Sequence, residues 1–305
     1  MKTFLVWLIV CGIWSSTWIF IKLGLDEGLP PISFAAARFV VALSVLLLIL
    51  AVNKAWFPKG KTFWLLAAVT GFTQFGLNYG LLFWGEQYVS SGLAAVLQAT
   101  IPTFGLIIAQ FYLPNEKITP LKVFAILLGT VGVGVIFYEQ LQISGAMAFA
   151  GSMAIVAGAL GAAFASVLVK AHGSNLNSIS LLIAQMLFGL APLALSGLIW
   201  EGNPAKFNWT WTAVVCVLYL ALIGSIAAFW LYYWLLKNMD ATKAMLIALV
   251  TPFAAVLIGN ITLGETLQWQ TLVGGALIVF SVGLILFQPK RKTVNLQDGA
   301  TLENL

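Results

Sequence analysis

Charged residues are scarce in this sequence. Only 8% of its 305 residues are Asp, Glu, Lys or Arg, whereas about 25% of residues are charged in typical soluble domains. Hydrophobic residues make up 61% of the chain. This composition excludes an ordinary soluble globular protein and indicates an integral membrane protein.

Residues that serve most enzymes and metal sites are also few. The chain has one histidine, His172, and two cysteines, Cys11 and Cys216, which lie in apolar stretches without a CxxC spacing. We therefore expect no metal site, no disulfide and no cofactor. No P-loop pattern GxxxxGK[ST] occurs, so we do not expect ATP hydrolysis. An intramembrane enzyme would need a serine with a histidine or clustered acids, so we expect a protein that is not an enzyme.

Ten apolar runs are long enough to cross a membrane. A bilayer core is about 30 Å thick, so a transmembrane helix needs roughly 20 apolar residues. The runs lie at residues 4–24, 33–52, 62–84, 90–112, 120–137, 145–169, 178–199, 210–235, 241–263 and 269–287. They lack the alternation of membrane β-barrel strands. The sequence predicts an all-α integral membrane protein with ten transmembrane helices.

Basic residues are distributed unevenly over the connections between these runs. If the N-terminus is cytoplasmic, Lys22 and Lys206 lie near the opposite face, while Arg38 lies inside a run. The other basic residues fall on the cytoplasmic side: Lys2, Lys54, Lys59, Lys61, Lys117, Lys122, Lys170, Lys237, Lys243, Lys290, Arg291 and Lys292. Because cytoplasmic loops are rich in Lys and Arg, both termini are predicted to be cytoplasmic. Basic residues at the cytoplasmic ends of helices face anionic lipid, and this accounts for the net charge of +5. We therefore expect no nucleic-acid partner.

The two halves of the chain repeat each other. Residues 88–108 align with 238–258 at a constant offset of 150, and 31–38 align with 178–185, which places Arg38 opposite Gln185. Each half holds five runs. After an odd number of membrane crossings the chain enters the second half from the opposite side, so the second half lies inverted in the membrane. The sequence therefore predicts a 5+5 inverted repeat. Its parts are residues 1–140, residues 141–289 and a polar cytoplasmic tail, residues 290–305.

Several motifs resemble those of the EamA family of the drug/metabolite transporter superfamily. They are "PISFAAARF" in the second helix, "AAVLQATIP" and "PNEK" around the fourth, and "TPF" and "LGET" around the ninth. The resemblance covers about residues 4–288, and "PNEK" departs from the usual "GE" ending that Gly264 and Glu265 keep.

The resemblance implies a function and a location. A member of this family would be a secondary-type permease that exports small metabolites, such as amino acids or amphipathic drugs, by alternating access through a central cavity. Helices 1, 3, 4, 6, 8 and 9 would line the cavity, and helices 5 and 10 would form a scaffold or a homodimer contact. The expected location is the bacterial cytoplasmic (inner) membrane. Two alternatives stay open: a channel-like facilitator and a non-transporting membrane assembly subunit.

Polar and aromatic residues inside the apolar runs indicate where a substrate would bind. Thr70, Gln74 and Asn78 in helix 3 recur every fourth residue, so they form one stripe that should face the bundle. Aromatic and amide groups suit a zwitterionic or uncharged amphipathic molecule. The candidate substrate-binding residues are Trp14, Ser15, Trp18, Gln74, Asn78, Tyr79, Gln98, Trp230 and Tyr233. For Gln74 and Asn78 the alternative is hydrogen bonding between helices, and for Trp18 it is the membrane-interface belt.

Two prolines are candidates for gating. Pro102 and Pro252 lie at corresponding places in helices 4 and 9, where a proline removes one helical hydrogen bond and bends the helix. The bends either move as gates or stay fixed and shape the packing. Glu116 and Glu265 are expected to begin helices 5 and 10, where a carboxylate bonds backbone amides.

Ionisable residues are almost absent from the runs. Arg38 is a charge well within a run, so it should pair with polar groups or reach the outer interface, either as an anion-attracting vestibule or as a structural anchor. No Asp, Glu or His lies at the middle of a run. Coupling to protons would therefore need a group near a helix end, and Glu86 is the first candidate.

Overall fold

The structure is a computed structural model, and it describes residues 1–52, 57–89, 91–114, 116–141, 145–263 and 268–287. Over these residues the regular secondary structure is helical, with no strand. The α-helices are α1 (Lys2–Asp26), α2 (Pro31–Val52), α3 (Lys61–Gly71), α4 (Tyr79–Glu86), α5 (Ser91–Gln98), α6 (Ile101–Tyr112), α7 (Pro120–Ile136), α8 (Gly145–His172), α9 (Ser178–Trp200), α10 (Trp211–Ala221), α11 (Ala228–Asn238), α12 (Ala241–Met245), α13 (Ile247–Leu263) and α14 (Trp269–Leu286).

Two π-helices and two short 3₁₀-helices complete the described elements. The 3₁₀-helices are Tyr138–Gln140 and Pro204–Lys206. The π-helices are π1 (Phe72–Asn78), between α3 and α4, and π2 (Leu222–Ala227), between α10 and α11. They begin 150 residues apart, at the offset found between the two halves of the sequence. Single π-helical turns inside α-helices often mark functional sites.

Among the described residues, eight helical segments are long and apolar enough to cross a membrane. They are Lys2–Asp26, Pro31–Val52, Leu93–Tyr112, Gly145–His172, Ser178–Trp200, Trp211–Asn238, Ala241–Ile258 and Trp269–Leu286, and Pro120–Ile136 is a shorter apolar helix. The predicted run 62–84 coincides with the uninterrupted series α3, π1 and α4. The prediction of an all-helical integral membrane protein is confirmed. The 5+5 arrangement and the location of the termini stay predictions.

Local signals explain where several helices begin. The Asn177 side chain accepts hydrogen bonds from the backbone N–H groups of Ile179 and Ser180 at the start of α9. The Thr210 hydroxyl oxygen accepts one from Ala213 N–H at the start of α10. An Asn or Thr in this position satisfies N–H groups that a helix leaves unpaired in its first turn.

Small residues let the helices approach closely. A side-chain carbon added at Gly132 in α7 would lie 2.7 Å from the carbonyl oxygen of Gly274 in α14. The Ser281 hydroxyl of α14 donates to the carbonyl of Ala125 in α7 at 2.6 Å. The predicted fifth and tenth helices therefore pack on each other within one chain.

The two prolines differ in their surroundings. Pro102 lies at the start of α6, after a turn at Ala99 and Thr100 that separates α5 from α6. Pro252 lies inside α13. The expectation of a proline bend in a continuous fourth helix is therefore corrected, because a proline at the first turn of a helix breaks no hydrogen bond.

The position of Glu116 also differs from the expectation. Helix α7 begins at Pro120 after the capping residue Thr119, so Glu116 precedes it and does not cap it. Its carboxylate accepts hydrogen bonds from the backbone N–H groups of Ala241 at 2.7 Å and Thr242 at 3.2 Å, at the start of α12. Glu116 therefore joins the end of the first half to the second half. Glu265 lies outside the described residues.

Candidate functional site

A cavity of about 160 Å³ lies among helices from both halves of the chain. This volume is below the roughly 300 Å³ at which pockets for drug-sized ligands begin, so the cavity suits a small molecule. Its walls come from α1, π1, α4, α5, α6, α8, α11, α12 and α13, and α2 contributes Arg38.

Many of the candidate residues from the sequence line this cavity. They are Trp14, Trp18, Arg38, Gln74, Asn78, Tyr79, Glu86, Gln98 and Pro252. The helices that provide them lie far apart in the sequence, so the fold brings these side chains together.

Four of the candidates lie elsewhere. The Ser15 hydroxyl is buried and donates to the carbonyl of Cys11 at 2.6 Å. The Tyr233 hydroxyl donates to the side-chain oxygen of Gln185 at 2.6 Å. Trp230 is 49% exposed on the outer side of α11, and Pro102 is buried but does not line the cavity. Trp230 and Tyr232 are two residues apart, about 200° around a helix, so only one of them can face the cavity.

An amide pair forms one wall. The Nε2 of Gln98 in α5 donates to the Oδ1 of Asn78 in π1 over 3.3 Å. Behind Asn78, Gly158 of α8 approaches so closely that an added side-chain carbon would lie 3.1 Å from the carbonyl oxygen of Asn78. The backbone of π1 is therefore held against α8, and the amide groups sit at the cavity surface.

Aromatic rings form another wall. The ring centre of Trp14 lies 5.5 Å from that of Phe229 and 5.2 Å from that of Tyr232. The indole N–H of Trp14 donates to the carbonyl of Gly224 in π2 at 3.3 Å. Phe229 and Tyr232 both line the cavity, and of the two only Phe229 was not indicated by the sequence as part of the aromatic wall. Phe229 follows Tyr79 by 150 residues, so the repeat offset, extended to this helix, could have identified it.

Arg38 brings a positive charge to the cavity wall. Its side chain is 2% exposed, and its Nε and Nη2 donate to the hydroxyl oxygen of Ser225 at 3.2 and 3.0 Å. The guanidinium carbon lies 4.9 Å from the ring centre of Phe39 and 5.1 Å from that of Tyr79.

Gln185 is the residue of the second half that aligns with Arg38. It forms hydrogen bonds with uncharged side chains of the first half and of the eighth predicted helix. Its Nε2 donates to the hydroxyl of Thr70 at 2.6 Å, and its side-chain oxygen accepts from Tyr233. Gln185 is fully buried and does not line the cavity. Thr70, the first member of the predicted stripe, is therefore a packing contact.

One end of the cavity is closed by contacts of Trp7 and Glu116 between the halves and by a contact of Lys170 within the second half. The indole N–H of Trp7 in α1 donates to the carbonyl of Lys243 at 3.1 Å, and the Nζ of Lys170 donates to the carbonyl of Met239 at 3.1 Å. Glu116 binds the start of α12 at the same end. Burial raises the pKa of the Glu116 carboxyl, and the hydrogen bonds from Ala241 and Thr242 partly oppose this rise.

The lining residues at the other end of the cavity are more exposed. Trp18 and Ile21 near the end of α1, and Leu82 and Glu86 in α4, are partly exposed lining residues. Lining residues toward the closed end, such as Met245, are buried. The cavity therefore extends toward the face at which α1 and α4 end.

No group of three or more His, Cys, Asp or Glu side chains that could hold a metal ion occurs in the described part of the chain. The chemistry that the cavity offers is aromatic contact, neutral hydrogen bonding, the buried cation of Arg38 and the carboxyl group of Glu86.

Comparisons with known proteins agree with this architecture. The family described as the EamA-like transporter family matches residues 1–138 and 149–287. A protein of Bacillus subtilis (strain 168), named Uncharacterized transporter YoaV, is 28% identical over 283 residues, which cover 92% of this chain and 96% of that protein. A protein of Escherichia coli (strain K12), named Uncharacterized inner membrane transporter YedA, is 30% identical over 289 residues, which cover 90% of this chain and 87% of that protein.

One solved crystal structure has a similar fold. It matches with a TM-score of 0.79 and 16% sequence identity, over 93% of this chain and 96% of that one. At this identity the similarity concerns the fold alone.

Proposed function

The chain belongs to the EamA-like transporter family and is a multi-pass membrane transporter of the plasma membrane, and on that premise we propose that it exports small amphipathic metabolites by alternating access. The observation that carries the proposal is the cavity around Trp14, Asn78 and Arg38, which draws its walls from both matched segments. A site between two halves of a transporter can face either side when one half rocks against the other.

The described conformation corresponds to a carrier that faces outward. The contacts of Trp7, Glu116 and Lys170 close the end at which α1 begins, and Glu86 marks the accessible end. With the N-terminus in the cytoplasm, as the distribution of basic residues predicts, the accessible end faces outside. In this proposal the substrate enters when the contacts at the closed end separate, and it leaves through the conformation described here.

The cavity surface supports a substrate with an apolar part and hydrogen-bonding groups. Trp14, Tyr79 and Phe229 offer aromatic contact, while Gln98 and Asn78 offer amide groups. Pockets for small molecules typically combine such apolar walls with a few placed polar groups. An amino acid or a related amphipathic compound has both features.

The fourth and ninth predicted helices are each interrupted, which supports the proposal that parts of them move during transport. Helix α5 ends at Gln98 and α6 begins at Ile101, while α12 ends at Met245 and α13 begins at Ile247. Gln98, Ile101, Met245 and Ile247 all line the cavity. Discontinuous helices at a substrate site are frequent in secondary transporters. In this proposal the gating motion occurs at these breaks, together with the bend at Pro252.

A homodimer through the fifth and tenth predicted helices stays a prediction. Gly132 and Gly274 already face each other inside one chain, so a second copy would contact the outer faces of α7 and α14. Those faces are apolar: Phe124, Leu127, Val131, Leu272, Val279 and Phe280 are exposed.

Counterflow in liposomes tests the proposal. Purified protein is reconstituted with a high concentration of an unlabelled amino acid or aromatic metabolite inside, and uptake of a labelled trace of the same compound is followed. A carrier accumulates the label transiently, and the uptake saturates. Electrical conductance without saturation would indicate a channel. The absence of flux for every compound in a broad metabolite panel would favour an assembly subunit.

A further inference from the structure

Arg38 is a buried cation with few protein partners. We propose that its guanidinium binds an anionic group of the substrate, in particular a carboxylate, so that the transported compounds are amphipathic carboxylates. This inference rests on the proposed transport function and specifies its substrate class.

The hydrogen bonds of Arg38 leave much of its donor capacity unused. A guanidinium carries five N–H donors. In the described part of the chain its protein partners are two neutral hydroxyl groups: Nε and Nη2 donate to the hydroxyl of Ser225, and the phenol of Tyr79 is a second hydrogen-bond partner. The Ser225 hydroxyl gives its own proton to the carbonyl of Leu220 at 2.9 Å, so it is oriented to accept from Arg38.

No described carboxylate forms an ion pair with this cation. Glu86 lines the same cavity, but it follows Tyr79 by seven residues, about 10 Å along a helix, and no bond joins it to Arg38. A buried charge without a counter-ion is costly. A substrate carboxylate would supply the missing negative charge through paired N–H···O hydrogen bonds, which the planar guanidinium is shaped to make.

Gln185 indicates that packing alone does not require a charge at this position. It aligns with Arg38 in the other half, yet a neutral amide satisfies its polar neighbours Thr70 and Tyr233 there. Gln185 lies away from the cavity, and Arg38 lies in its wall. The charge is therefore present at the member of the pair that a substrate can reach.

The surroundings of Arg38 fit the rest of such a molecule. The guanidinium carbon lies 4.9 Å from the ring centre of Phe39 and 5.1 Å from that of Tyr79. Trp14 and Phe229 line the same cavity with their rings 5.5 Å apart. A carboxylate at Arg38 therefore leaves the apolar part of the ligand near aromatic side chains.

Matched ligand pairs test the proposal by binding alone. The melting temperature of the purified protein in detergent is measured with benzoate, phenylacetate, 3-phenylpropionate, indole-3-acetate and phenylalanine, and with the carboxamide of each. Ligands that bind the folded state raise the melting temperature. We expect at least one carboxylate to bind more tightly than its amide, by about tenfold to a hundredfold, as for hydrogen bonds to charged groups. If no carboxylate in the set is preferred over its amide, the proposal is overturned.

Variants assign any preference to Arg38. Arg38→Gln should abolish the preference for carboxylate over amide, while Arg38→Lys should keep part of it because the charge remains. Gln185→Met is the matched control, since it alters the aligned buried position outside the cavity, and it should keep the preference. A preference that survives in folded Arg38→Gln would overturn the proposal. If Arg38→Gln does not fold, a reduced preference in Arg38→Lys supports the proposal, and an unchanged preference contradicts it.

The two proposals fail in different ways. If carboxylates bind through Arg38 but counterflow never occurs, the transport function is wrong and the binding site stands. If uncharged or cationic compounds undergo counterflow and Arg38→Gln transports them with unchanged selectivity, the protein is a carrier and the anion site is wrong.

Discussion

The Nε2 of Gln98 donates to the Oδ1 of Asn78 over 3.3 Å, at the surface of the cavity between the two halves. This bond joins π1 to α5, so it contributes to helix packing, while both side chains also line the cavity. The stripe of Thr70, Gln74 and Asn78 had two interpretations, contact with substrate and hydrogen bonding between helices. Each applies to a different member of the stripe. Thr70 bonds Gln185 away from the cavity, and Asn78 lies in its wall.

Replacing Asn78 tests its proposed contact with substrate. Asn78→Leu removes the amide but keeps a side chain of similar size. We expect an affinity loss on the order of tenfold, as for the loss of one hydrogen bond, with a small change in melting temperature, because hydrogen bonds between membrane helices average about 0.6 kcal/mol. Both quantities are measured on the same sample. Unchanged affinity would remove Asn78 from the site.

The control for this experiment is Gln185→Met. Gln185 is also a buried amide in a helix, but it bonds Thr70 and Tyr233 outside the cavity. Its loss leaves two hydroxyl groups without their partner, so we expect a lower melting temperature and unchanged substrate affinity.

Glu116 is predicted to hold the closed end of the cavity. Glu116→Gln leaves one accepting oxygen where two now bond the backbone N–H groups of Ala241 and Thr242, so one of these hydrogen bonds is lost. We expect the population open at this end to rise about tenfold, which corresponds to roughly 1.4 kcal/mol. The readout is maleimide labelling of Ala244→Cys, after the two buried native cysteines are replaced by alanine.

Glu201 provides a matched control for Glu116. Its carboxylate accepts from the backbone N–H groups of Ile32 at 2.9 Å and Ser33 at 2.6 Å, at the start of α2. The bonding pattern is the same, but Glu201 does not contact α12. Glu201→Gln should leave labelling of Ala244→Cys unchanged. Equal increases in both variants would show a general loss of stability and would refute the specific role of Glu116.

The two prolines should differ in their effect on transport. Pro252→Ala restores a hydrogen bond inside α13 and straightens it, so we expect the transport rate to fall several-fold while substrate affinity changes little. Pro102→Ala should have a smaller effect on the rate, because Pro102 occupies the first turn of α6. The measurement is the initial counterflow rate of each variant at saturating substrate. A larger decrease for Pro102→Ala than for Pro252→Ala would contradict the assignment of the gating bend to Pro252.

The orientation in the membrane is tested with tags. Tags at Phe57 and Asn295 should be cytoplasmic, and tags at Gly28 and Pro204 should be external, as the excess of basic residues on one side predicts. The measurement is accessibility to an impermeant label in intact cells. The reversed pattern would make the described conformation inward-facing and would refute the export direction.

Composition and run length were sufficient for the helices, and the quoted motifs were sufficient for the resemblance to the family. The predicted runs 178–199 and 269–287 agree closely with Ser178–Trp200 and Trp269–Leu286, because an apolar segment in lipid must satisfy its backbone hydrogen bonds as a helix. The resemblance to the EamA family is confirmed by the match to residues 1–138 and 149–287.

Features that depend on contacts between distant residues were not predictable from local sequence. Glu116 bonds the backbone of residues 125 and 126 positions away, and no local pattern indicates that pairing. Residues around π2 face different directions from those of an uninterrupted α-helix, so the choice of Trp230 over Tyr232 and Phe229 could not be made from periodicity alone. Arg38 was recognised as a charge within a run, but its partner Ser225 follows only from the fold.

The central claim is that one cavity opens to one face at a time, and two-sided labelling tests it most directly. Leu82→Cys reports on the accessible end and Ala244→Cys on the closed end, each in protein without native cysteines, in sealed vesicles treated with impermeant maleimide on one side. We predict that without substrate Leu82→Cys is labelled from the outer face and Ala244→Cys is protected from the inner face. A substrate identified by counterflow, added on the inner side, should raise labelling of Ala244→Cys and lower that of Leu82→Cys. Simultaneous, substrate-independent labelling of both positions would indicate a continuous pore and would contradict alternating access.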